Sequence, residues 1–508
     1  MDPSPLLIDM ESRSPDPPTV YRLPLRDRLP GPLGALLSFP WWQLAVAGAV
    51  GYLLGELIHT PNSRIIKAIA GLVLFGIARR TQPFYALCFI VLMFPFPFSI
   101  FVGSSTMIFI VVACLVYLGR LTLKQTDPPA RTPVDAGMGI LVACYLLSFY
   151  NVDNPEFLRR GLINFFAILA SFLLFYITAS FIRNEDQLKT MVKVLTITIA
   201  LSVAIGLYEL VFPGQVLVPH WITLGGGGEA AVGDEGYRVG GPLSDYELFG
   251  EFMAMSFFIS YFHYRRSTFA NSRFFGMSLA VLCVFLLLTT VTRGATLAFV
   301  GGFVYLMWCI RSRLRFRDVV TVLLVAAGLY AGMEFILVNF TTSGSVLDRL
   351  LGTTFVGFLP DSRTGWVDVW DRVLDHPFVG HGPYYDLGLA GGLTGRGLYT
   401  HIWPHNQYLF YAHTIGLIGL GAFLFVAGRL LHVSFRFKAK SLKESSYAES
   451  LMVVLHVMLL VFLVDQIKID YLRNDIYLYF PWILMGMIAA THRIILRQRS
   501  ARAEVGAP

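Results

Sequence analysis

Stretches of apolar residues long enough to cross a lipid bilayer as helix recur along almost the whole chain, and they constrain its fold more than any other feature. Trp42–Leu57, Phe84–Phe98 and Gly161–Ile182 approach or exceed the roughly 20 residues that span the hydrocarbon core. Only 14% of the 508 residues are charged, against about 25% in an average globular domain, which is too little to cover a water-soluble surface. In lipid every backbone amide and carbonyl must be satisfied within the protein, and the helix does this inside a single segment. The expected fold is therefore all-α: a polytopic membrane protein with about 12 to 14 transmembrane helices and a long periplasmic loop carrying an interfacial helix.

Hydropathy places helices near 41–58, 65–78, 83–98, 104–118, 134–150, 161–182, 190–212, 243–264, 274–291, 294–310, 319–339, 406–433, 448–467 and 474–495. The second is short and carries Lys67, and Pro95 and Pro97 predict a kink in the third. Residues 1–40 are rich in Pro, Asp, Arg and Ser without a continuous apolar core, so they read as a disordered cytosolic tail and not as a cleavable signal. Residues 41–498 then form the transmembrane domain, and 499–508 a cytosolic C-terminal tail. Cys88, Cys114, Cys144, Cys283 and Cys309 all fall inside apolar segments, where they read as small core residues and not as disulfides.

With the N-terminus in the cytoplasm, 28 of the 40 Lys and Arg residues lie on the inner side and 12 on the outer. Positive residues stay inside during insertion, so the asymmetry supports the helix count and the orientation together. It implies a multi-pass protein of the bacterial inner membrane with both termini cytoplasmic. Arg311, Arg313, Arg315 and Arg317 form one inner anchor, and Arg436, Lys438, Lys440 and Lys443 another. The net charge of +7 is spread over many short loops. It makes no single basic face, which argues for membrane lipids and against nucleic acid as partner.

Two outer loops are long: 213–242, with four consecutive glycines at 225–228, and 340–405. Loops beyond about 15 residues are uncommon in compact domains unless they function. The second has order of its own. After Asp361 and Ser362, which can cap a helix, Trp366, Val369, Trp370 and Val373 recur at helical spacing with Asp368, Asp371, Arg372 and Asp375 between them. This predicts a helix lying in the membrane interface with its tryptophans down, ended by the Pro and Gly turns of His376–Pro383.

The outer basic residues are few enough to weigh singly. Arg293, in TVTRGATLAF, sits at a tight outer turn near membrane depth, where an Arg is costly without an anionic partner; the plainer reading is a snorkelling anchor. Arg363, in LPDSRTGWVDVW, opens the interfacial helix, where its fork suits a phosphate, or alternatively a surface pair with Asp368. Arg238, in YRVGGPLSDYELFGEF, is a third candidate for substrate binding, or the structural counter-ion of Asp245, Glu247 and Glu251. His405, next to Asn406 where the long loop re-enters the membrane, is suited to accepting a proton near neutral pH, although a loop histidine is more often plain polar surface. His401 and His405 have i, i+4 spacing, but Pro404 and the missing glutamate of HExxH argue against a zinc site. The chain has no phosphate loop, no GxSxG and no dinucleotide fingerprint.

Three segments resemble the O-antigen ligase and polymerase superfamily: TVTRGATLAF at 290–299, DSRTGWVDVWDRVLDHPFVGHGP at 361–383 and PHNQYLFYAHTIGLIGLGAF at 404–423. Each is weak alone, but their order, spacing and shared outer location make the combination fairly specific, with GGPLSDYELFGEFMAM at 240–255 a looser match. The resemblance implies a metal-independent, inverting glycosyltransferase without cofactor. Its donor would be an undecaprenyl-diphosphate-linked glycan, and its acceptor a hydroxyl of a glycan, a lipid A core or a protein. It assigns Arg293 and Arg363 to the diphosphate and His405 to the acceptor. The first outer loop, His59–Arg64, lacks the metal-binding carboxylates used there by many lipid-sugar glycosyltransferases. The chain departs from the pattern in having about fourteen helices where ligases commonly have twelve, and in having His413 and Thr414 where a Glu is frequent.

A transporter or flippase of lipid-linked sugars is the competing reading from another class. It predicts ionisable groups at the bilayer midplane and repeated halves, neither of which the sequence displays clearly. A non-catalytic assembly subunit is a third.

Overall fold

The computed structural model describes residues 79–97, 99–100, 103–152, 155–212, 232–233, 236–310, 355–356, 359–360, 365–383, 404–436, 442 and 445–505, with position 76 and scattered positions between 320 and 335. The chain divides into Met1–Pro61 and Asn62–Pro508, and every described residue lies in the second unit. The expected segments 41–58 and 65–78, most of 319–339 and the boundary at residue 40 lie outside the described residues.

The described elements are α1 (Pro83–Met93), α2 (Ser105–Thr122), α3 (Asp135–Ser148), α4 (Pro155–Phe181), α5 (Glu185–Val211), α6 (Tyr246–Arg266), α7 (Ala270–Thr289), α8 (Arg293–Cys309), α9 (Gly365–Asp375), α10 (Gln407–Phe435), α11 (Tyr447–Asp465) and α12 (Phe480–Val505). Strand pairing among the described residues is confined to three two-residue hairpins. Among the described residues, seven helices are long and apolar enough to cross a membrane: α2, α4, α5, α7, α10, α11 and the segment Tyr477–Arg502, which overlaps most of α12. α1 and α8 are shorter apolar helices.

Helix starts follow their caps. The side chains of Ser104, Asn184, Asp245, Asn406 and Ser446 each accept a backbone N–H from the first turn that follows. Several boundaries differ from the expectation, α12 for example running on to Val505 where an end near 495 is expected, and three bear on the argument. α1 stops at Met93, because Pro95 and Pro97 end the helix instead of kinking it. α4 begins at Pro155, since Pro is favoured in a first turn that needs no N–H donor, so most of the expected 151–160 turn is helix. α12 begins at Phe480 after two short 3-10 turns, Tyr471–Arg473 and Tyr477–Tyr479, where a helix from 474 was expected.

At the centre stands α6, buried continuously from Leu248 to Phe262 and packed against α7, α8 and α11. Phe257 meets Phe299 and Phe303 edge-on with ring centroids 5.0 and 5.7 Å apart, contacts worth about 0.5–1.5 kcal/mol beyond burial. Helix ends fall into two sets. At one end Thr292 Oγ1, just before α8, donates to the Tyr246 carbonyl at the start of α6, and the Gln407 amide donates to the Gln466 carbonyl beyond α11. At the other end Arg266 of α6 donates to the Leu442 and Ser445 carbonyls between α10 and α11, and Arg493 of α12 donates to the Ala179 and Ile182 carbonyls at the close of α4. The candidate site residues that are described all lie at the first end.

Candidate active site

The PHNQ segment divides its labour residue by residue. The Pro404 carbonyl accepts the Trp366 indole N–H at 2.6 Å, joining the start of α9 to the start of α10. Asn406 caps α10, accepting from the Tyr408 and Leu409 amides at 3.0 and 3.1 Å. Gln407 is fully buried, and its Oε1 accepts the Tyr471 amide at 3.1 Å. His405 is left at the lip of the helix with its side chain 34% exposed.

The Tyr471 amide is also held by Gln466 Oε1 at 3.1 Å, and Gln466 Nε2 in turn donates to both oxygens of the fully buried Glu251 at 3.0 Å. This fixes the turn Tyr471–Arg473 and aims Arg473 at the start of α6. Its Nε and Nη2 donate to the two Asp245 oxygens at 2.9 and 2.8 Å, a bidentate fork, and Nη2 lies 2.7 Å from Glu247 Oε2. Its Nη1 donates to Nδ1 of His405 at 3.1 Å, and Glu247 Oε2 stands 3.7 Å from the same nitrogen. Burial works against the charge of Arg473, but the Asp245, Glu247 and Asp470 carboxylates outweigh it and raise its pKa.

The TVTRG turn closes on the same place. Thr290 and Thr292 hydroxyls lie where a side chain on Gly250 would stand, which explains the glycine in the YELFGEF stretch of α6. Arg293 is the first residue of α8 and is half-buried; the next residue, Gly294, lies against Asp465 and Lys468 at the exit of α11. Across the first turn of α6, the Arg238 guanidinium lies 4.6 Å over the Tyr246 ring.

The third motif forms a clamp. α10 breaks at Gly416, whose φ of 74° leaves the helical path, and the HPFVGHG segment fills the break. His381 and Gly382 amides donate to the His413 and Thr414 carbonyls at 2.9 and 3.0 Å, and the Leu417 amide donates to Pro377 at 2.7 Å. The ring of His376 meets that of His381 edge-on, and His381 in turn stacks on His413, with centroids 4.7 and 4.5 Å apart. Burial lowers the pKa of His381, partly opposed by its hydrogen bond to the Arg372 carbonyl. α9 buries Val369 and Val373 but leaves Val367, Trp370, Leu374 and the following Phe378 exposed. That exposed apolar stripe suits an interfacial helix, although Trp366 is directed at Pro404, so the two tryptophans do not share a role.

Backbone strain concentrates here. Four non-glycine residues among the described ones have positive φ, and three of them, Ser244, Val291 and His405, sit in this cluster. For a β-branched residue such as Val291 this conformation is a genuine outlier, costing about 1–2 kcal/mol, and such outliers gather at functional sites.

Of the sequence candidates, Arg238, Arg293 and His405 therefore meet around the first turn of α6. Arg363 and His401 lie outside the described residues, although the helix that Arg363 precedes begins beside Pro404. Arg473 is a counter-ion of Asp245 and Glu247. Arg473 belongs to the outer basic residues by the charge count, but nothing in the DYLRND stretch around it marks it as a site residue.

Residues 278–424 match the family model for O-antigen ligases. This stretch is similar to O-antigen ligases. The ligase segment runs from within α7 to within α10, so it contains the TVTRG turn, α9, the clamp and the PHNQ cap, while the Asp245, Glu247 and Arg473 side chains come from outside it. The match suggests glycan transfer of the O-antigen ligase type, with lipid-linked glycan and acceptor substrates, and the apolar helices suggest a multi-pass membrane protein. No curated protein matches the chain.

Proposed function

We propose that this protein moves a glycan from an undecaprenyl-diphosphate-linked donor onto an acceptor hydroxyl at the periplasmic face, without a metal and with inversion at the anomeric carbon. The observation that carries the reading is the meeting of Arg293, Arg238 and His405 around the start of α6, with two of them inside the ligase segment.

In the proposed reaction the acceptor oxygen attacks the anomeric carbon on the face opposite the diphosphate. The carbon–oxygen bond to phosphorus breaks, its electron pair leaves with the diphosphate, and the hydroxyl proton passes to Nε2 of His405. A sugar hydroxyl is a poor nucleophile at neutral pH, and a placed base is worth about 10²–10⁴ in rate. Arg293 and Arg363 would stabilise the departing diphosphate, a task in which fixed cations in a low-dielectric site are strong. Arg238 stands nearby as a further phosphate or sugar contact.

Purified protein with lipid-linked donor and acceptor should form the glycan product. His405→Ala should abolish transfer while the protein keeps its thermal stability and donor binding, and His413→Ala and His401→Ala should cost much less. Near-normal turnover by His405→Ala, or equal loss in all three, would remove the base role.

A further inference from the structure

His405 presents a conflict that the base role must resolve. A guanidinium has donors and no acceptor, so an Arg473 Nη1 placed 3.1 Å from His405 Nδ1 requires that nitrogen to be the acceptor. A neutral imidazole then carries its proton on Nε2, which makes Nε2 a donor and unable to take a proton from a hydroxyl. The opposite tautomer needs a partner for an Nδ1–H, and Glu247 Oε2 is 3.7 Å from Nδ1, just beyond hydrogen-bond length. The same Glu247 oxygen is 2.7 Å from Arg473 Nη2, and Arg473 is anchored to Asp245 through Nε and Nη2, independently of His405. Only Nη1 has to let go for the imidazole to turn to Glu247.

We infer that Arg473 and Glu247 are positioning residues that compete for Nδ1 of His405, and so decide whether its Nε2 meets the substrate as a proton donor or as a base. In the resting form Arg473 holds Nδ1 and the proton sits on Nε2. In the working form Nδ1–H donates to Glu247 and the Nε2 lone pair faces the acceptor hydroxyl. Exchange between the two needs only loss of the Nε2 proton to water and uptake of one at Nδ1, which the exposure of the ring permits. During transfer the hydroxyl proton moves to Nε2, and the imidazolium formed is neutralised by Glu247 before it returns that proton to solvent. Asp245 is the pivot: it keeps Arg473 in place in both forms. This is the orienting logic of a carboxylate behind a catalytic imidazole, with a cation added as competitor.

The inference rests on the proposed base role of His405, and its test is arranged to separate the two. Protein labelled with nitrogen-15 in histidine, compared with His405→Gln to assign the signal, reports the tautomer without any turnover. Wild type without substrate should show His405 protonated on Nε2, and Arg473→Lys, which can still pair with Asp245 but cannot reach Nδ1 at the same time, should shift the population toward Nδ1–H. In transfer assays Glu247→Gln should lower kcat at least about 100-fold with the KM for donor near wild type, because the loss concerns proton transfer and not binding. An Nδ1–H signal in wild type, or a Glu247→Gln protein with normal kcat, overturns the inference. Full activity of His405→Ala would instead overturn the base role, and the tautomer signal would still stand or fall by itself.

Discussion

Ser244, Val291 and His405 share an uncommon backbone conformation because three tight connections converge where the helices α6, α8 and α10 begin. A sequence gives no direct sign of this, since Val and His are poor markers of a left-handed turn. The candidates Arg293 and His405 were legible because cations and imidazoles are rare in outer turns at the membrane. Arg473 was not, because its partner Asp245 lies 228 positions away and nothing in the DYLRND stretch names it. At this scale the arginine roles are testable by shape. Arg293→Lys and Arg363→Lys should each lose most transfer activity despite retained charge, since Lys cannot reproduce a bidentate fork. Expression and melting temperature should stay near wild type, and normal activity in the Lys variants would make both residues ordinary anchors. His413 is a different case. It is buried, and neither ring nitrogen has a hydrogen-bond partner among the described residues, a situation that costs about 1–3 kcal/mol. His413→Phe should therefore keep or raise the melting temperature in detergent, and a marked drop would reveal a partner for that ring.

The helices themselves were legible because apolar length is a local property, and eleven expected segments have a described counterpart within a few residues at most ends. The clamp between His376–Gly382 and the break in α10 was not, since it is a pairing between segments whose contact depends on Gly380 and Gly416 passing backbone to backbone. Both glycines have positive φ, and a side chain on Gly416 would run into the Phe378 carbonyl, one on Gly380 into Thr414. Gly416→Ala and Gly380→Ala should each destabilise by at least about 2 kcal/mol, from the left-handed penalty plus the clash. Gly421→Ala, in the same helix with nothing within 4 Å, should be neutral or slightly stabilising. Thermal unfolding in detergent distinguishes them, and equal effects at all three positions would mean that the clamp does not hold the kink. The clamp also predicts a pH response. His381 has its pKa lowered by burial, and it faces His376, His413, Arg372 and Asp375. A depressed folded-state pKa means that its contribution is fully present above the unfolded value of about 6.5 and is lost as the pH falls below it. Wild type should therefore lose more melting temperature between pH 7 and pH 5 than His381→Gln does, and parallel pH curves would exclude His381 as the cause.

Across the whole molecule, helix direction and charge tell the same story from independent information. Contacts between helix ends show that each helix from α1 to α8 runs opposite to the one before it, and that α10, which runs the same way as α8, alternates with α11 and α12. One end of the bundle then gathers residues 149–151, 240–245, 290–293, 404–406 and 466–476, and the other gathers 120–135, 182–185, 266–270 and 436–446. The second set carries Arg120, Lys124, Arg131, Arg183 and Arg266, with Arg436 at its edge, the bias expected of a cytoplasmic side. The candidate site lies in the first set. If that end is periplasmic, as a lipid-linked donor displayed outside the cell would require, its surface must be reachable by an impermeant thiol reagent in intact spheroplasts. Tyr150 is 89% exposed, and the neighbouring Asn151 side chain donates to the Gly380 carbonyl of the clamp, so Tyr150→Cys reports this end. Thr268, exposed between α6 and α7, reports the opposite end. The native cysteines give little background, being buried or half-buried in helices. Tyr150→Cys should label in intact spheroplasts and Thr268→Cys only after permeabilisation, and cysteines at Gly227 and Gly392 in the long loops should follow Tyr150 while one at Ser312 follows Thr268. Reversed labelling would turn the bundle over and put the arginines and His405 on the cytoplasmic side, out of reach of a donor held in the outer leaflet, and the proposed reaction would go with it.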